Sequence, residues 1–501
     1  MNYAIIRYLL GWVLIFESCF LTLPCITAVI YQEREGFAFL AVLMLCLVLG
    51  LLLTARRPKR DTFYTKEGFV VVTLAWVLLS AMGALPFVFN GDIPSFTDAL
   101  FETISGFTTT GASILSDVEA LSRCSLFWRS FTHWIGGMGV IVFILAVLPM
   151  TGGSTMSLMR AESPGPSVGK LVPKIRQTAM LLYKIYFFMT VVEIIILIAG
   201  GMPVFDALTT SFGTAGTGGF GIKNNSMAGY SDFLINTVTV FMILFGVNFN
   251  VYYLIYAKKF RKAAACEEMH WYFLIIAAAI GVITVNIRGM FGSPLQALKH
   301  AAFQVGSIIT TTGYSTTDFD MWPQLSRTIL VVLMFIGACA GSTGGGMKVS
   351  RILVLVKTVK KELDSFVHPR LVKKIHLEGR PIEHETLRSI NVFTISYLVI
   401  FAASVLVIAL DEFDLVTNFT AVAATFNNIG PGLSKVGPTM NFGSFSVLSK
   451  YVLMFDMLAG RLELFPLLLI FNPGVYRDMF MGAVRYVRRR ISARRAKRVT
   501  S

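Results

Sequence analysis

Four short polar turns are the residues of this chain whose types and spacing best suit chemistry. Each ends in glycine and lies between apolar segments long enough to cross a bilayer. The four turns are Thr109-Thr110-Gly111, Thr217-Gly218-Gly219, Thr311-Thr312-Gly313 and Asn428-Ile429-Gly430. Irregular backbone is tolerated at membrane depth only where it is buried in protein or lines a water-filled path. Because glycine allows backbone angles that aim carbonyl oxygens inward, and carbonyl rings replace the hydration shell of a cation, four such turns predict a cation filter.

The register of the four turns can be checked inside the sequence. The triplet 98–100, Asp-Ala-Leu, ends eleven residues before Gly111, and the same triplet at 206–208 ends eleven residues before Gly219. The triplet 300–302 keeps this offset to Gly313. Gly219 is preferred over Gly218 as the second anchor because of this offset and the aromatic residue that follows; an error of one residue remains open.

Composition places the chain in the membrane. It has 501 residues, of which 55% are hydrophobic and 15% charged, whereas soluble proteins have about 25% charged residues. The net charge of +15 lies in inter-helix loops and at the C-terminus, so the positive-inside rule explains it better than a nucleic-acid partner does. The six cysteines lie mostly in apolar runs without paired spacing, which indicates neither a disulfide framework nor a metal site.

The apolar periodicity predicts an all-α integral membrane protein of about ten transmembrane helices. Two N-terminal helices come first, and a unit of helix, pore helix, filter and helix then follows four times in a pseudo-fourfold arrangement. The predicted divisions are 1–60 for the N-terminal helices, 61–160, 161–265 and 266–378 for repeats 1 to 3, and 379–501 for repeat 4 with a basic tail. In repeat 1, Ser95 followed by Asp98 predicts the capped start of a pore helix.

Loop charges predict the orientation of the filter. The segments that follow the second span of each repeat are basic, around 160–176, 258–262, 357–374 and 485–498. The segments that carry the pore helices and turns are acidic, with few basic residues. All four turns are therefore predicted to face the outside, where acidic groups concentrate cations. The basic clusters are also suited to contact with anionic lipid.

Two features below the predicted filter stand out. Residues 336–348 of repeat 3 contain three consecutive glycines, which should break the second span, although close packing of small residues would explain the same run. Arg461 lies inside the predicted span 451–471, and such residues face a pathway or pair with an acid, here Glu463 or Asp456. Lys348 is expected to reach towards the cytoplasmic edge.

The chain resembles the TrkH/TrkG/KtrB superfamily of potassium transporters over essentially its whole length. The resemblance is carried by the repeated unit, by Thr-Thr-Thr-Gly in repeats 1 and 3, by Thr-Gly-Gly-Phe in repeat 2 and by the segment 427–432, Asn-Asn-Ile-Gly-Pro-Gly. The two N-terminal helices resemble the TrkH and TrkG branch. Serine often replaces the first filter glycine in relatives that pass sodium, so Gly111 favours potassium.

The resemblance implies potassium uptake across a bacterial inner membrane, with potassium as cargo and no cofactor in this chain. It makes residues 341–348 an intramembrane gate, namely Gly341, Ser342, Thr343, Gly344, Gly345, Gly346, Met347 and Lys348, of which all but Met347 are expected to act. It makes Arg461 a positive barrier in the pore. It also implies a homodimer and a peripheral cytosolic nucleotide-binding ring of the TrkA type, since no phosphate-binding fingerprint occurs in this chain.

Three other functions are weighed against this one. A secondary transporter for another solute would have inverted repeats, whereas all four turns share the acidic side. A sodium-permeable member of the same superfamily is the second alternative. A membrane enzyme would need clustered ligands or acids, and the six histidines are scattered, so no enzyme activity is expected. Coupling to protons or sodium is not decided by the sequence.

Overall fold

The computed structural model describes residues 3–58, 65–139, 175–368, 374–462 and 464–470. The N-terminal pair is α1 (Tyr3–Tyr31) and α2 (Gly36–Thr54). Repeat 1 contains α3 (Thr65–Asn90), α4 (Phe96–Phe107) and α5 (Arg123–Met138). Repeat 2 contains α6 (Ile175–Ala199), α7 (Val204–Gly216), α8 (Asp232–Phe245) and α9 (Phe249–Tyr256), and the short α10 (Phe260–Ala264) follows.

Repeats 3 and 4 have the same order of elements. Repeat 3 contains α11 (Glu267–Ile287), α12 (Pro294–Ile309), α13 (Gln324–Ile336) and α14 (Val349–Val367). A two-stranded antiparallel hairpin follows, made of β1 (His376–Leu377) and β2 (Arg380–Pro381). Repeat 4 contains α15 (His384–Ile408), α16 (Leu415–Phe426), α17 (Val447–Arg461) and α18 (Leu464–Ile470). Each repeat therefore has an outer helix, a pore helix, a turn and an inner helix.

Three of the four pore helices begin at a side-chain cap. The Ser95 hydroxyl accepts the Asp98 N–H at 3.4 Å, as the sequence predicts, and the Ser293 hydroxyl accepts the Gln296 N–H at 3.3 Å. The Asp414 carboxylate accepts the Thr417 hydroxyl and N–H, and these bonds hold the pKa of the Asp414 carboxyl below its usual range. The caps satisfy N–H groups that the first helical turn leaves unpaired, so they fix where each pore helix starts.

All four inner helices end below the turns. Helix α5 ends at Met138, and the following residue, Gly139, has a φ of 77°. Helix α13 ends at Ile336, and the following residue, Gly337, has a φ of 73°. In repeat 2, α8 and α9 are bent by 90° at the break between them. In repeat 4, α17 ends at Arg461, within the predicted span 451–471. Within the described residues, each inner helix therefore stops at non-helical backbone beneath its turn.

Six helices in the described part of the chain are long and apolar enough to cross a membrane, or seven if the bent pair α8 and α9 is one span. They are α1, α2 and the four outer helices. The inner helices α5, α13 and α17 are too short, as far as the structure describes them, to be among the six, and the predicted first inner span 126–150 extends beyond the described residues. The basic tail also lies outside the described residues.

The N-terminal pair packs mainly against repeat 1, and Tyr31 at the end of α1 also contacts Phe205 in the pore helix of repeat 2. Helices α1 and α2 approach closely at Gly11 and Gly50, where a Cβ on Gly11 would meet the Gly50 carbonyl oxygen at 3.0 Å. The Glu33 carboxylate, in the loop after α1, accepts the N–H groups of Arg123 and Cys124 at 2.6 and 2.9 Å. This carboxylate attaches the pair to the start of the first inner helix.

Candidate cation filter and the loop beneath it

The four turns have the same backbone conformation. In each turn the glycine and the residue two positions before it have positive φ angles, between 55° and 97°. The pairs are Thr109 and Gly111, Thr217 and Gly219, Thr311 and Gly313, and Asn428 and Gly430. In repeat 2 the pattern includes Gly219 and not Gly218, so the four turns superpose in the register that the offset of eleven residues predicts.

The four turns also close into a ring. A Cβ built on Gly111 would overlap the carbonyl oxygen of Gly218, and a Cβ on Gly219 would overlap that of Thr312. In the same way Gly313 faces the Ile429 carbonyl and Gly430 faces the Thr110 carbonyl, the latter at 2.7 Å. Each carbonyl belongs to the residue directly before a ring glycine. The order of contacts is therefore repeat 1 to 2, 2 to 3, 3 to 4 and 4 back to 1.

Hydrogen bonds between side chains stiffen the inner part of the ring. The hydroxyls of Thr108 and Thr110 lie 2.8 Å apart, and those of Thr310 and Thr312 lie at the same distance. The Asn428 side-chain amide donates to the Thr110 hydroxyl at 2.9 Å and so connects repeat 4 to repeat 1. These side chains are fully buried, which is how a polar turn is accommodated at membrane depth.

His133 connects the turns of repeats 1 and 2. Its Nδ1 lies 2.7 Å from the Gly106 carbonyl, and its Nε2 accepts the Phe220 N–H at 3.2 Å. Because a carbonyl can only accept and an N–H can only donate, Nδ1 carries the proton and the imidazole is neutral. The ring is completely buried and lies directly against Gly218. No local pattern in the sequence distinguishes His133 from the other five histidines.

A buried ion pair supports the outer side of the same two turns. Arg129 Nε lies 2.6 Å from Glu102 Oε1, with exposed side-chain fractions of 3% and 1%. Glu102 also accepts the Ser113 hydroxyl and the Ile114 N–H just beyond the first turn. Arg129 donates to the Gly221 carbonyl and lies 3.6 Å over the Phe220 ring. The Arg129–Glu102 pair thus contacts the segments that follow the turns of repeats 1 and 2.

We expect Arg129→Met to lower the free energy of unfolding by about 3–5 kcal/mol, because it leaves the Glu102 carboxylate buried without its partner. Thermal unfolding in detergent measures this. The double variant Arg129→Met with Glu102→Leu serves as the control, since it removes both charges, and it should be less destabilised than Arg129→Met alone. A double variant that is as unstable as the sum of both single variants would contradict this account.

Residues 337–348 form an irregular loop directly beneath the ring, so the predicted break in the third inner helix is present. The Gly345 N–H donates to the Thr311 hydroxyl at 2.6 Å. A Cβ on Gly344 would meet the Thr310 carbonyl oxygen at 2.9 Å, and one on Gly345 would meet that of Asn427 at 2.5 Å. The loop therefore touches the inner ends of the turns in repeats 3 and 4, and glycine is required for that approach.

Arg461 lies beneath the turn of repeat 1. Its guanidinium donates to the Thr109 hydroxyl at 3.2 Å, to the Thr343 carbonyl at 2.9 Å and to the carbonyls of Gly136 and Gly137, the latter at 2.9 Å. It therefore connects three repeats at one point. Of the two acids considered as its partners, Asp456 accepts the Ser404 hydroxyl at 2.8 Å, and Glu463 lies outside the described residues.

Lys348 does not reach the cytoplasmic edge, and that prediction is wrong. Its side chain is buried, and its ammonium group donates to the Gly344 carbonyl and, at 3.2 Å, to the Gly345 carbonyl. Its φ of 78° turns the chain so that the side chain folds back over the loop. The carbonyls exposed by the glycine run give the ammonium closer partners than the membrane surface does.

Within the described ranges, no group of three or more His, Cys, Asp or Glu side chains is placed to hold a metal ion. What the site offers a cation is backbone carbonyl and hydroxyl oxygen. Fold and site together define a multi-pass membrane protein with four pore-loop repeats closed into one ring, above a loop and an arginine.

The chain belongs to the TrkH family, described as cation transport proteins, whose profile matches residues 35–481. It is 37% identical to the Trk system potassium uptake protein TrkH of Salmonella typhimurium over 95% of this chain and 100% of that protein. It is 30% identical to the Trk system potassium uptake protein TrkG of Escherichia coli, over 95% of this chain and 99% of that protein.

A solved structure agrees with this assignment. The crystal structure of the potassium transporter TrkH from Vibrio parahaemolyticus is similar with a TM-score of 0.86 and 34% identity, over 95% of this chain and 100% of that one. The resemblance to the TrkH branch and the all-α membrane fold are confirmed. The protein is a transporter of the inner membrane and not an enzyme; it carries no cofactor, and the cation is its cargo.

Proposed function

We propose that this chain takes up potassium ions across the inner membrane and that the closed ring is its selectivity filter. The observation that carries the proposal is the contact of each ring glycine with the preceding-residue carbonyl of the next repeat. The proposed filter residues are those of the four turns, at 109–111, 217–219, 311–313 and 428–430. Four carbonyls at equal depth offer a dehydrated cation several oxygens without net charge. The printed names of the relatives, potassium uptake proteins, support potassium as that cation.

Residues 341–348 of the loop beneath the ring act in this proposal as the gate, together with Arg461. The loop touches the inner ends of two turns, and the guanidinium touches a third. A fixed positive charge at this depth repels a cation that leaves the filter, and the loop blocks its path. For conduction, both must move away from the pore axis.

The charge distribution supports an outward-facing filter and a regulator that docks on the inner side. Acidic segments accompany the pore helices and basic segments follow the inner helices, so the filter faces outward. On the inner side, four lysines contribute to a groove of about 240 Å³, lined by Lys357, Lys360, Lys361, Lys374, Ile375 and His376. This basic face supports docking of a cytosolic nucleotide-binding ring of the TrkA type and contact with anionic lipid. A homodimer belongs to the same proposal.

Uptake of radioactive rubidium into vesicles that contain the purified protein tests the filter. In the wild type we expect potassium to compete with rubidium and an equal concentration of sodium to leave uptake unchanged. We expect Gly313→Ser to let sodium compete or to abolish uptake, because its φ is 86° and its Cβ would overlap the Ile429 carbonyl.

Three results would reject the assignment. Absent uptake in the wild type would favour a transporter for another solute. Equal competition by sodium would make the protein a sodium-permeable member of the family. A Gly313→Ser protein with wild-type uptake and wild-type selectivity would make the turns structural.

A further inference from the structure

The carboxylate of Glu268 joins both ends of the loop beneath the filter. Glu268 is the second residue of α11, the outer helix of repeat 3, and is 3% exposed. Its Oε1 accepts the Ala340 N–H at 2.7 Å and the Ser350 N–H at 3.0 Å. Ala340 precedes the turn at Gly341, and Ser350 is the second residue of the helix that follows the loop. One oxygen atom thus spans the irregular segment.

The loop needs such an anchor because its own composition favours disorder. Glycine loses more conformational freedom on ordering than any other residue, and this segment has a run of three. Backbone bonds from Cys339 to Gly246 and from Val349 to Ala338, both 3.0 Å, also hold its ends. The two bonds to Glu268 are buried, so a loop that moved away would leave two backbone N–H groups without this acceptor.

The next residue extends this anchor towards the cytoplasm. Glu267 pairs with Lys357 of α14 at 2.5 Å, and Lys357 also donates to the His376 carbonyl at 2.9 Å. The start of α11 therefore holds the loop through Glu268 and the helix after the loop through Glu267. A displacement of α14 away from α11 would separate Ser350 from Glu268 and free that end of the loop.

We propose that Glu268 is a positioning residue that keeps the intramembrane loop beneath the filter, and that the loop leaves the pore only when the two bonds to Glu268 break. The inference rests on the proposed function of the loop as a gate. It assigns to the outer helix of repeat 3 the contact that decides whether the loop stays in place.

Alkylation of Cys339 by N-ethylmaleimide, measured by mass spectrometry, reports loop position independently of transport. Cys339 lies in the loop and is completely buried. We expect Glu268→Ala to raise its alkylation rate about tenfold or more, because two buried N–H groups lose their acceptor. Glu268→Gln keeps an acceptor oxygen and should restore protection. Cys46 and Cys124, both buried outside the loop, report overall integrity in the same sample. Glu267→Ala removes the pair with Lys357 but leaves both bonds to Glu268 in place, so it should raise the alkylation rate less than Glu268→Ala does.

Rubidium uptake without the cytosolic regulator is measured on the same variants. We expect Glu268→Ala to raise resting uptake while potassium still outcompetes sodium. Protection of Cys339 in Glu268→Ala would overturn the inference, and so would equal exposure of Cys46 and Cys124, which would show general unfolding. Exposure of Cys339 alone with unchanged uptake would confirm the anchor and reject the loop as a gate.

Discussion

Gly219→Ala is expected to lose most potassium uptake, whereas Gly221→Ala, two residues further on, is expected to keep it. Gly219 has a φ of 74°, where an alanine costs about 1–2 kcal/mol, and its added Cβ would overlap the Thr312 carbonyl of the next repeat. The backbone strain alone would shift the equilibrium away from this turn conformation roughly tenfold. To relieve the overlap, the Thr312 carbonyl oxygen must also move out of its place in the ring. The measurement is initial rubidium uptake per amount of folded protein.

Gly221→Ala is a suitable control because the structure has room for the added methyl group. A Cβ on Gly221 would meet its nearest neighbour, the Lys223 carbonyl oxygen, at 3.5 Å, an ordinary van der Waals distance. The residue lies outside the positive-φ pattern of the turn. If both variants lost uptake equally, the whole segment would be intolerant of substitution and the ring would not be the cause. If neither lost uptake, the ring would not be part of the permeation path.

Local sequence was sufficient for the repeats and for one of the breaks. The turns are recognisable because each is a short polar segment between apolar runs, at the same place in each repeat, and ends in one of the glycines Gly111, Gly219, Gly313 and Gly430. The break in the third inner helix is recognisable because three glycines follow one another there. The breaks in the other inner helices were missed. Repeat 2 bends after a single glycine at Gly246, and α17 ends with Arg461 followed by leucine. Helix propensity is a weak prior, and tertiary packing decided these endpoints.

The partners of the charged residues could not be predicted from the sequence, because they are distant or are backbone. The position of Arg461 in an apolar run predicts that it faces a pathway or pairs with an acid, whereas three of the hydrogen bonds given above are to carbonyls, which every residue carries. For the same reason, the sequence could not show that Lys348 is buried against the carbonyls of the loop. Glu268 looks like an ordinary acidic residue at the start of a helix, and only the loop folded against it gives it a role.

Arg461→Gln is expected to raise resting potassium uptake by at least about tenfold. The substitution removes a positive charge that contacts the inner end of the proposed filter through the Thr109 hydroxyl. Two unit charges 4 Å apart interact by about 4 kcal/mol at an effective dielectric constant of 20, so under the proposed function a potassium ion that leaves the ring on its inner side meets a barrier of that order. Water in the pore screens this interaction, so the expected rise in uptake is much smaller than the rate change that about 4 kcal/mol would produce.

Arg461→Lys separates the charge from the hydrogen bonds. Lysine keeps the positive charge, but it lacks the planar fork that reaches the Thr343 and Gly137 carbonyls together. If repulsion of the cation is the main effect, Arg461→Lys should keep resting uptake low while Arg461→Gln raises it. If the guanidinium acts mainly by tying the loop to the first inner helix, both variants should raise uptake and expose Cys339 to alkylation. Low uptake in both variants, with the protein folded, would show that Arg461 is not part of the barrier, and the loop alone would then have to close the pore.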